Sequence, residues 1–267
     1  MRPALPQVML GRPNLIGKDV SCIRLEEAHI NPIDLGLKKL GRNAKRNIYR
    51  IHARTVFSAA LHFSGQQSAY GLEKQYIRES EPEKLSEHNW AGSRCRLWDR
   101  CARGDCTVIA KIRNKDMQAI RRLDAIQRLS PNFYPLVNLL FWRYMDPAEL
   151  LYVEVMRDRS WEDLPWISKE LSNSHGLETY SGPSQNVLGC LLEAVERRST
   201  RYQALTALWQ VMRCCAATGR IDAYIRLYGA WLSCRQYLSH DPVLGAVSDD
   251  LYRHTNLYFS TLYVNYS

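Results

Sequence analysis

The chain has no hydrophobic run long enough to cross a membrane, which excludes the usual helical membrane proteins. A spanning helix needs about 18–20 consecutive apolar residues, and no stretch of the 267 residues approaches that length. Proline and glycine interrupt the first residues, so we expect no signal peptide there. These absences predict a soluble cytoplasmic protein.

The common catalytic motifs are missing as well. The sequence contains no phosphate-binding G-x-x-x-x-G-K-[ST] loop, no G-x-G-x-x-G after a strand, no H-E-x-x-H and no G-x-S-x-G. The acidic pairs Glu162-Asp163 and Asp249-Asp250 are adjacent in sequence, so in a helix they diverge, and they suit helix N-termini better than a shared metal. We predict a non-catalytic protein with no cofactor. An enzyme whose site converges from scattered residues is the open alternative.

The eight cysteines lack the C-x-x-C spacing that lets two thiolates chelate zinc from one turn. His88, Cys95, Cys101 and Cys106 nevertheless supply four potential ligands within 19 residues. The spacing favours ordinary reduced cysteines and predicts no metal site, with zinc as the alternative.

Positive charge is concentrated in the first half of the chain. Residues 1–128 contain 24 Lys/Arg and 13 Asp/Glu, a net charge of +11, whereas residues 129–267 have a net charge of −2, which gives +9 overall. Such asymmetry suggests a polyanion partner for the first half. The alternatives are a solvated basic face or contact with an anionic membrane surface.

The clearest periodicity lies in a helix predicted to follow Asn31-Pro32. Apolar and small residues between Leu37 and Thr55 recur every three or four positions on a narrow arc. No acidic residue lies between Gly36 and Ser64. The opposite face carries the residues that we predict to contact phosphates: Lys38, Lys39, Arg42, Lys45, Arg46, Arg50 and Arg54. The same face could instead be solvated, with the helix docked on its own domain, or could meet a membrane or a partner's groove.

A second basic segment surrounds Trp98. Arginine next to tryptophan suits phosphate contact combined with base stacking, although Trp98 could equally be a core anchor. The nucleic-acid-binding candidates in this segment are Arg94, Arg96, Arg100, Arg103, Lys111, Arg113 and Lys115.

The order of elements over residues 82–128 resembles the helix-turn-helix of phage-repressor-like regulators. A polar helix is followed by a turn at Ala91-Gly92-Ser93, an Arg/Trp helix ending at Gly104 and an amphipathic helix from Asn114. Trp98-Asp99-Arg100 partly matches the string that closes the recognition helix in that family. The resemblance implies that Arg94, Arg96, Arg100 and Arg103 face the major groove or its flanking phosphates.

The second half is predicted to fold as a helical bundle. Four amphipathic helices, about 185–198, 200–217, 220–238 and 243–263, are separated by short turns that favour antiparallel neighbours. Their many aromatic residues indicate a core or a partner-binding surface.

The predicted fold is therefore mainly α. It has a basic helical region over 1–128, a connecting segment over 129–184 with a linker near 172–184, and an antiparallel bundle over 185–267. The predicted function is non-catalytic DNA binding, as in a transcriptional regulator, with the C-terminal helices forming an oligomer or a partner contact. A helical scaffold that docks on an acidic protein or an RNA assembly is the alternative.

Overall fold

The computed structural model of the chain describes residues 33–80, 82, 95–139, 141–146, 183–217 and 220–259. Within these ranges the chain is helical and has no strand, so the prediction of a mainly α fold is confirmed. The helices are α1 Ile33–Ser64, α2 Ala69–Ser80, α3 Leu97–Arg103, α4 Val108–Arg113, α5 Met117–Leu129, α6 Phe133–Val137, α7 Phe141–Tyr144, α8 Gln185–Glu196, α9 Arg201–Ala217, α10 Ile221–Ser233, α11 Arg235–Ser239 and α12 Ser248–Tyr258.

Helix α1 is the central element, and it packs against α2, α3, α5 and α6 as well as against α12. Its predicted apolar stripe is buried at Ala44, Ile48, Ile51 and Thr55. Beyond Ile51 the helix is enclosed on more sides than the stripe predicted, because helices from both halves of the chain cover it. Helix α1 therefore belongs to the cores of both halves.

The helices that follow α1 enclose a core of mostly aliphatic residues. Leu72, Leu97, Trp98, Leu123 and Phe133 are among its buried members. The spacing along α5 predicts an inner face of Met117, Ile120, Leu123 and Ile126. Leu123 and Ile126 are buried, whereas Met117 is 55 % exposed.

One basic residue of α5 corrects the sequence interpretation. The spacing along α5 predicts that Arg122 points outward with Arg121 and Arg128. Arg122 is instead buried and forms an ion pair with the buried carboxylate of Glu73. Its Nε lies 2.9 Å from both oxygens of Glu73, and its guanidinium covers the Tyr76 ring at 4.5 Å. A buried charge requires such a partner, and Glu73 on α2 supplies it.

The C-terminal helices α8–α12 form a second core that is rich in aromatic residues. The Trp209 ring meets Trp231 edge to face at 5.2 Å and Phe259 at 4.8 Å between ring centroids. Helix α9 packs against α8 and α10, which fits the predicted bundle. The apolar row that the sequence predicts for the inner face of α10 includes Ile221, Ile225, Trp231 and Leu232. Only part of it is buried: Trp231 lies in the core together with Tyr224, whereas Ile221, Ile225 and Leu232 are 40–44 % exposed.

Two of the predicted helix boundaries also differ. The third helix of this half is divided at Cys234 into α10 and α11, and the last begins at Ser248 rather than near 243. The later start has a local cause. Oδ1 of Asp241 accepts the backbone N–H groups of Val243 at 2.9 Å and Leu244 at 2.8 Å, which holds this segment in a turn. Asp249 and Asp250 lie in the first turn of α12, as predicted.

Candidate nucleic-acid interface

The exposed side of α1 carries two of the predicted phosphate-contacting residues, Arg46 and Arg50. They are one helical turn apart, while Ala44, Ile48 and Ile51 between and beside them are buried. The two arginines therefore project from the side of α1 that the core leaves uncovered.

Helix α3 has a basic face and a buried face. Arg96, Arg100 and Arg103 are exposed and recur at intervals of four and three residues, so they lie on one side of the helix. Leu97 and Trp98, on the opposite side, anchor α3 in the N-terminal core. The short helix thus presents three arginines in a row.

Gly104 brings these two basic faces together. It ends α3 in the left-handed conformation with a φ of +75°, which glycine adopts without steric cost. A Cβ atom at this position would lie 3.1 Å from both the Cβ and the backbone oxygen of Arg50. The C-terminus of α3 therefore touches α1 at Arg50, one residue beyond Arg103.

We call the five exposed residues on these adjoining faces the arginine surface: Arg46, Arg50, Arg96, Arg100 and Arg103. Within the part of the chain that the structure describes, only Arg103 among them forms an ion pair with a carboxylate. Its Nε lies 2.9 Å from Asp105, and both side chains are more than half exposed. An exposed pair of this kind contributes little and is screened by salt, so it leaves Arg103 able to exchange partners.

Other predicted contact residues already have carboxylate partners. The Lys45 ammonium lies 3.9 Å from the buried carboxylate of Asp146, and Arg54 is paired with Asp250 on α12. Arg54 also donates to the backbone oxygen of Ala246 at 3.2 Å. Because these two side chains of α1 are directed to Asp146 and to α12, we do not include them in the arginine surface.

The remaining candidates fall into two groups. Lys111 on α4 is 2.5 Å from Asp116, and Lys115 is exposed in the turn before α5. The others have side chains outside the described residues: Lys38, Lys39, Arg42, Arg94 and Arg113. Their predicted contacts stay predictions.

No family model matches the chain, and neither the curated proteins nor the solved structures include a match. The resemblance of residues 82–128 to a helix-turn-helix therefore stays a prediction, and its first helix lies almost wholly outside the described residues. The properties of this site rest on its own geometry.

Trp98 corrects the stacking interpretation. Its side chain is only 2 % exposed and packs with Leu97, Leu72 and Ile126 in the N-terminal core. A buried indole cannot stack on a nucleic-acid base, so the interpretation of Trp98 as a stacking residue is wrong. Trp98 instead fixes the orientation of α3, and through it the direction of the arginines.

The zinc alternative gains no support from the described residues. They contain no group of three or more His, Cys, Asp and Glu side chains that could hold a metal ion, and His88 lies outside them. Cys95 is half-buried, and its backbone N–H donates to Glu73 at 3.3 Å. Cys101 and Cys106 are both buried in the N-terminal core.

Sequence reasoning identified the arginines but missed the contact that unites them. The pattern placed Gly104 at the end of a helix, which is correct, yet a glycine pattern does not reveal which element lies against it. The carboxylates of Asp146 and Asp250 were missed for the same reason, because each is far in sequence from its basic partner.

No described helix is long and apolar enough to cross a membrane.

Proposed function

We propose that the chain is a non-catalytic nucleic-acid-binding protein whose arginine surface contacts the backbone phosphates of duplex DNA. The observation that carries the proposal is the close approach of Gly104 to Arg50, which sets the arginines of α3 beside those of α1. This contact places the C-terminal end of the α3 row next to Arg50 of α1.

The chemistry of these groups suits phosphate. Arginine keeps its charge at any physiological pH, and its planar guanidinium can donate two parallel hydrogen bonds to phosphate oxygens. The row on α3 from Arg96 to Arg103 is about 10 Å long at 1.5 Å per residue. Duplex DNA carries one charge per about 1.7 Å of its axis, so the surface can neutralise several phosphates at once.

The alternative is a helical scaffold that docks on an acidic protein or an RNA assembly. One observation favours an interaction role for the C-terminal half: Ile221, Ile225 and Leu232 of α10 are 40–44 % exposed on one side of the helix. Exposed aliphatic side chains on one helical face suit a protein partner. The two functions can be separated by the ligand that the arginine surface prefers.

The test is a charge reversal with a control of equal charge. The R46E/R50E double variant removes two arginines of the surface, and R197E/R198E makes the same change at exposed positions that follow α8. Binding of short duplex DNA, single-stranded DNA, RNA and polyglutamate would be measured at about 50 and 200 mM salt.

Wild type and R197E/R198E are expected to prefer duplex DNA, with affinity that falls steeply as salt rises. In R46E/R50E, two lost phosphate contacts should lower the salt dependence by about two powers of concentration, and the affinity by on the order of 50-fold at about 0.1 M salt. If both double variants lost the same affinity for DNA, binding would depend on the net charge of the chain and not on the arginine surface. Tighter binding of polyglutamate than of DNA would support the scaffold instead.

A further inference from the structure

Arg54 is the next residue in the row that Arg46 and Arg50 form on α1. The three arginines follow one another at intervals of four residues, so each lies about 6 Å farther along the helix axis than the one before it. Arg54 differs from the other two because its guanidinium is engaged by a carboxylate of the C-terminal half. The row of α1 is therefore longer than the part of it that belongs to the arginine surface.

Arg54 contacts the start of α12 at two points. Its Nη1 is paired with Oδ2 of Asp250, in the first turn of α12, and its Nη2 donates to the backbone oxygen of Ala246 at 3.2 Å. The same carboxylate also faces Arg253, whose Nη1 lies 4.0 Å from Oδ1 of Asp250. Asp250 therefore lies between two guanidinium groups, one on α1 and one on α12.

The ion pair lies at the protein surface, where an anion from solution can reach it. The side chain of Arg54 is 38 % exposed and that of Asp250 is 34 % exposed. A guanidinium has five N–H donors, so the two contacts of Arg54 leave donors for a phosphate. The obstacle to phosphate is the charge of Asp250, because a carboxylate beside Arg54 neutralises it and repels a second anion.

We propose that Asp250 is an autoinhibitory residue of the arginine surface, whose carboxylate occupies Arg54 and thereby removes one phosphate contact from the row of α1. The inference rests on the proposed function. Tight binding to DNA comes from the counterions that cationic groups release, and a guanidinium already paired with a carboxylate has none to release. Helix α12 thus sets how much of the α1 row is available to DNA.

Asp249 offers a comparison within the same helical turn. It precedes Asp250 and pairs with Arg235 at 3.0 Å, and both side chains are more than 60 % exposed. Arg235 begins α11 and is not part of the row on α1. Neutralising Asp249 therefore changes the net charge by the same amount and also releases an arginine, but it leaves Arg54 paired.

The test compares D250N with D249N for binding of short duplex DNA at about 50 and 200 mM salt. Asparagine has nearly the shape of aspartate and can still accept a hydrogen bond from Arg54, so the contact between α1 and α12 is kept while the negative charge is lost. One added phosphate contact should raise the salt dependence of D250N by about 0.9 powers of concentration, and its affinity by on the order of eightfold at about 0.1 M salt. D249N should stay close to wild type.

Two further variants identify the residue responsible for the gain. D250S removes the same charge with a smaller side chain and should reproduce the tighter binding. D250N/R54Q should lose it, because the released guanidinium is absent. Partial unfolding cannot produce a gain in affinity, since it lowers the folded fraction, and urea denaturation of each variant measures that fraction.

The proposal is overturned if D250N and D250S bind DNA no more tightly than D249N, or if D250N/R54Q keeps the tighter binding of D250N. These outcomes differ from a failure of the proposed function, in which wild type itself does not bind duplex DNA. If wild type binds and R46E/R50E weakens the binding, but D250N brings no gain, the arginine surface stands and the role of Asp250 is rejected.

Discussion

The two halves of the molecule differ in what they expose. The N-terminal helices present arginines on α1 and α3, whereas the exposed side of α10 in the C-terminal half presents Ile221, Ile225 and Leu232. The net charge of each half does not show how much positive charge its surface exposes. Part of the positive charge of the first half is used internally, as Arg122 with Glu73 and Arg54 with Asp250 show.

Each half nevertheless contains one feature of the same kind, a buried ion pair between residues that are far apart in sequence. Arg122 with Glu73 serves the N-terminal core, and Arg201 with Asp241 serves the C-terminal core. Since α1 contributes to both cores, we expect the described helices to unfold together. The two ion-pair variants below test whether a change in one half alters the stability of the other.

The largest expected effect is the loss of the Arg201 pair. Arg201 Nη1 lies 2.6 Å from Asp241, and its Nε and Nη2 donate to the backbone oxygens of Val195 at 2.8 Å and Glu196 at 2.9 Å. The R201M variant leaves the Asp241 carboxylate buried without its charge partner, so the free energy of unfolding should fall by about 3–5 kcal/mol. Urea denaturation followed by far-UV circular dichroism measures this loss.

The control for that variant is a neighbouring ion pair on the surface. Arg197 lies 3.6 Å from Glu193 on α8, with both side chains mostly exposed. R197M should therefore cost less than about 1 kcal/mol. The R122M variant in the N-terminal half should lose about as much unfolding free energy as R201M, and its urea denaturation should still show a single transition. Two separate transitions, with only one of them shifted, would show that the halves are independent.

The second effect is a loss of stability in acid, caused by two histidines. Burial lowers the pKa of His52 on α1 to about 4, and it also lowers that of His254 on α12. Nε2 of each ring donates to a backbone oxygen, of Val137 at 2.9 Å and of Met145 at 2.8 Å. Burial, rather than these hydrogen bonds, favours the neutral form of both rings, because each hydrogen bond raises the pKa of its ring while burial lowers it by more.

The direction follows from the lowered pKa values. The unfolded chain, whose histidines titrate near pH 6.5, binds more protons than the folded one below that pH, so stability is full above about 6.5 and falls with pH. At pH 5 the His52 contribution alone is a loss of about 2 kcal/mol. In urea denaturation curves recorded between pH 7.5 and 5, the H52Q variant should lack the loss of unfolding free energy that His52 causes. The smaller pH dependence that remains should be the contribution of His254. Wild-type curves that coincide over this range would refute the assignment.

The third effect concerns the glycine that unites the arginine surface. G104A should lower the free energy of unfolding by about 1–2 kcal/mol, because alanine is strained at positive φ and its methyl group meets Arg50. Gly65 is a matched control: its φ is +70° but nothing lies within 4 Å of an added Cβ. G65A should thus carry the backbone strain alone, about 1 kcal/mol. Only G104A should also weaken DNA binding. If both variants bind DNA equally well, Gly104 is not needed to hold the arginine surface together.

Much of the fold was predictable because periodicity reports which face of a helix is buried. The stripe of α1 at Ala44, Ile48 and Ile51 is buried as predicted. The inner face of α10 was predicted only in part, because several sides of that helix are apolar and its sequence does not show which of them the aromatic residues of the core contact.

The candidate site was predictable only as a set of residues. Charge density pointed to α1 and α3, but the sequence cannot show that Arg54 is paired with Asp250, 196 positions away. It also cannot decide whether Trp98 faces solvent or the core. Which residues become neighbours when they are far apart in sequence depends on how the helices pack, and the local sequence pattern does not show it.

The smallest expected effect returns to the exposed face of α10. Gly229 lies in the interior of this helix, between Ile225 and Leu232, and nothing lies within 4 Å of an added Cβ. G229A should therefore stabilise the chain by about 0.5–1 kcal/mol, because alanine loses less backbone entropy in a helix than glycine does. The sign is opposite to that for Gly104, which touches α1. A loss of stability in G229A, seen in the same urea experiment and increasing with protein concentration, would instead mean that a second copy of the chain packs closely on this face.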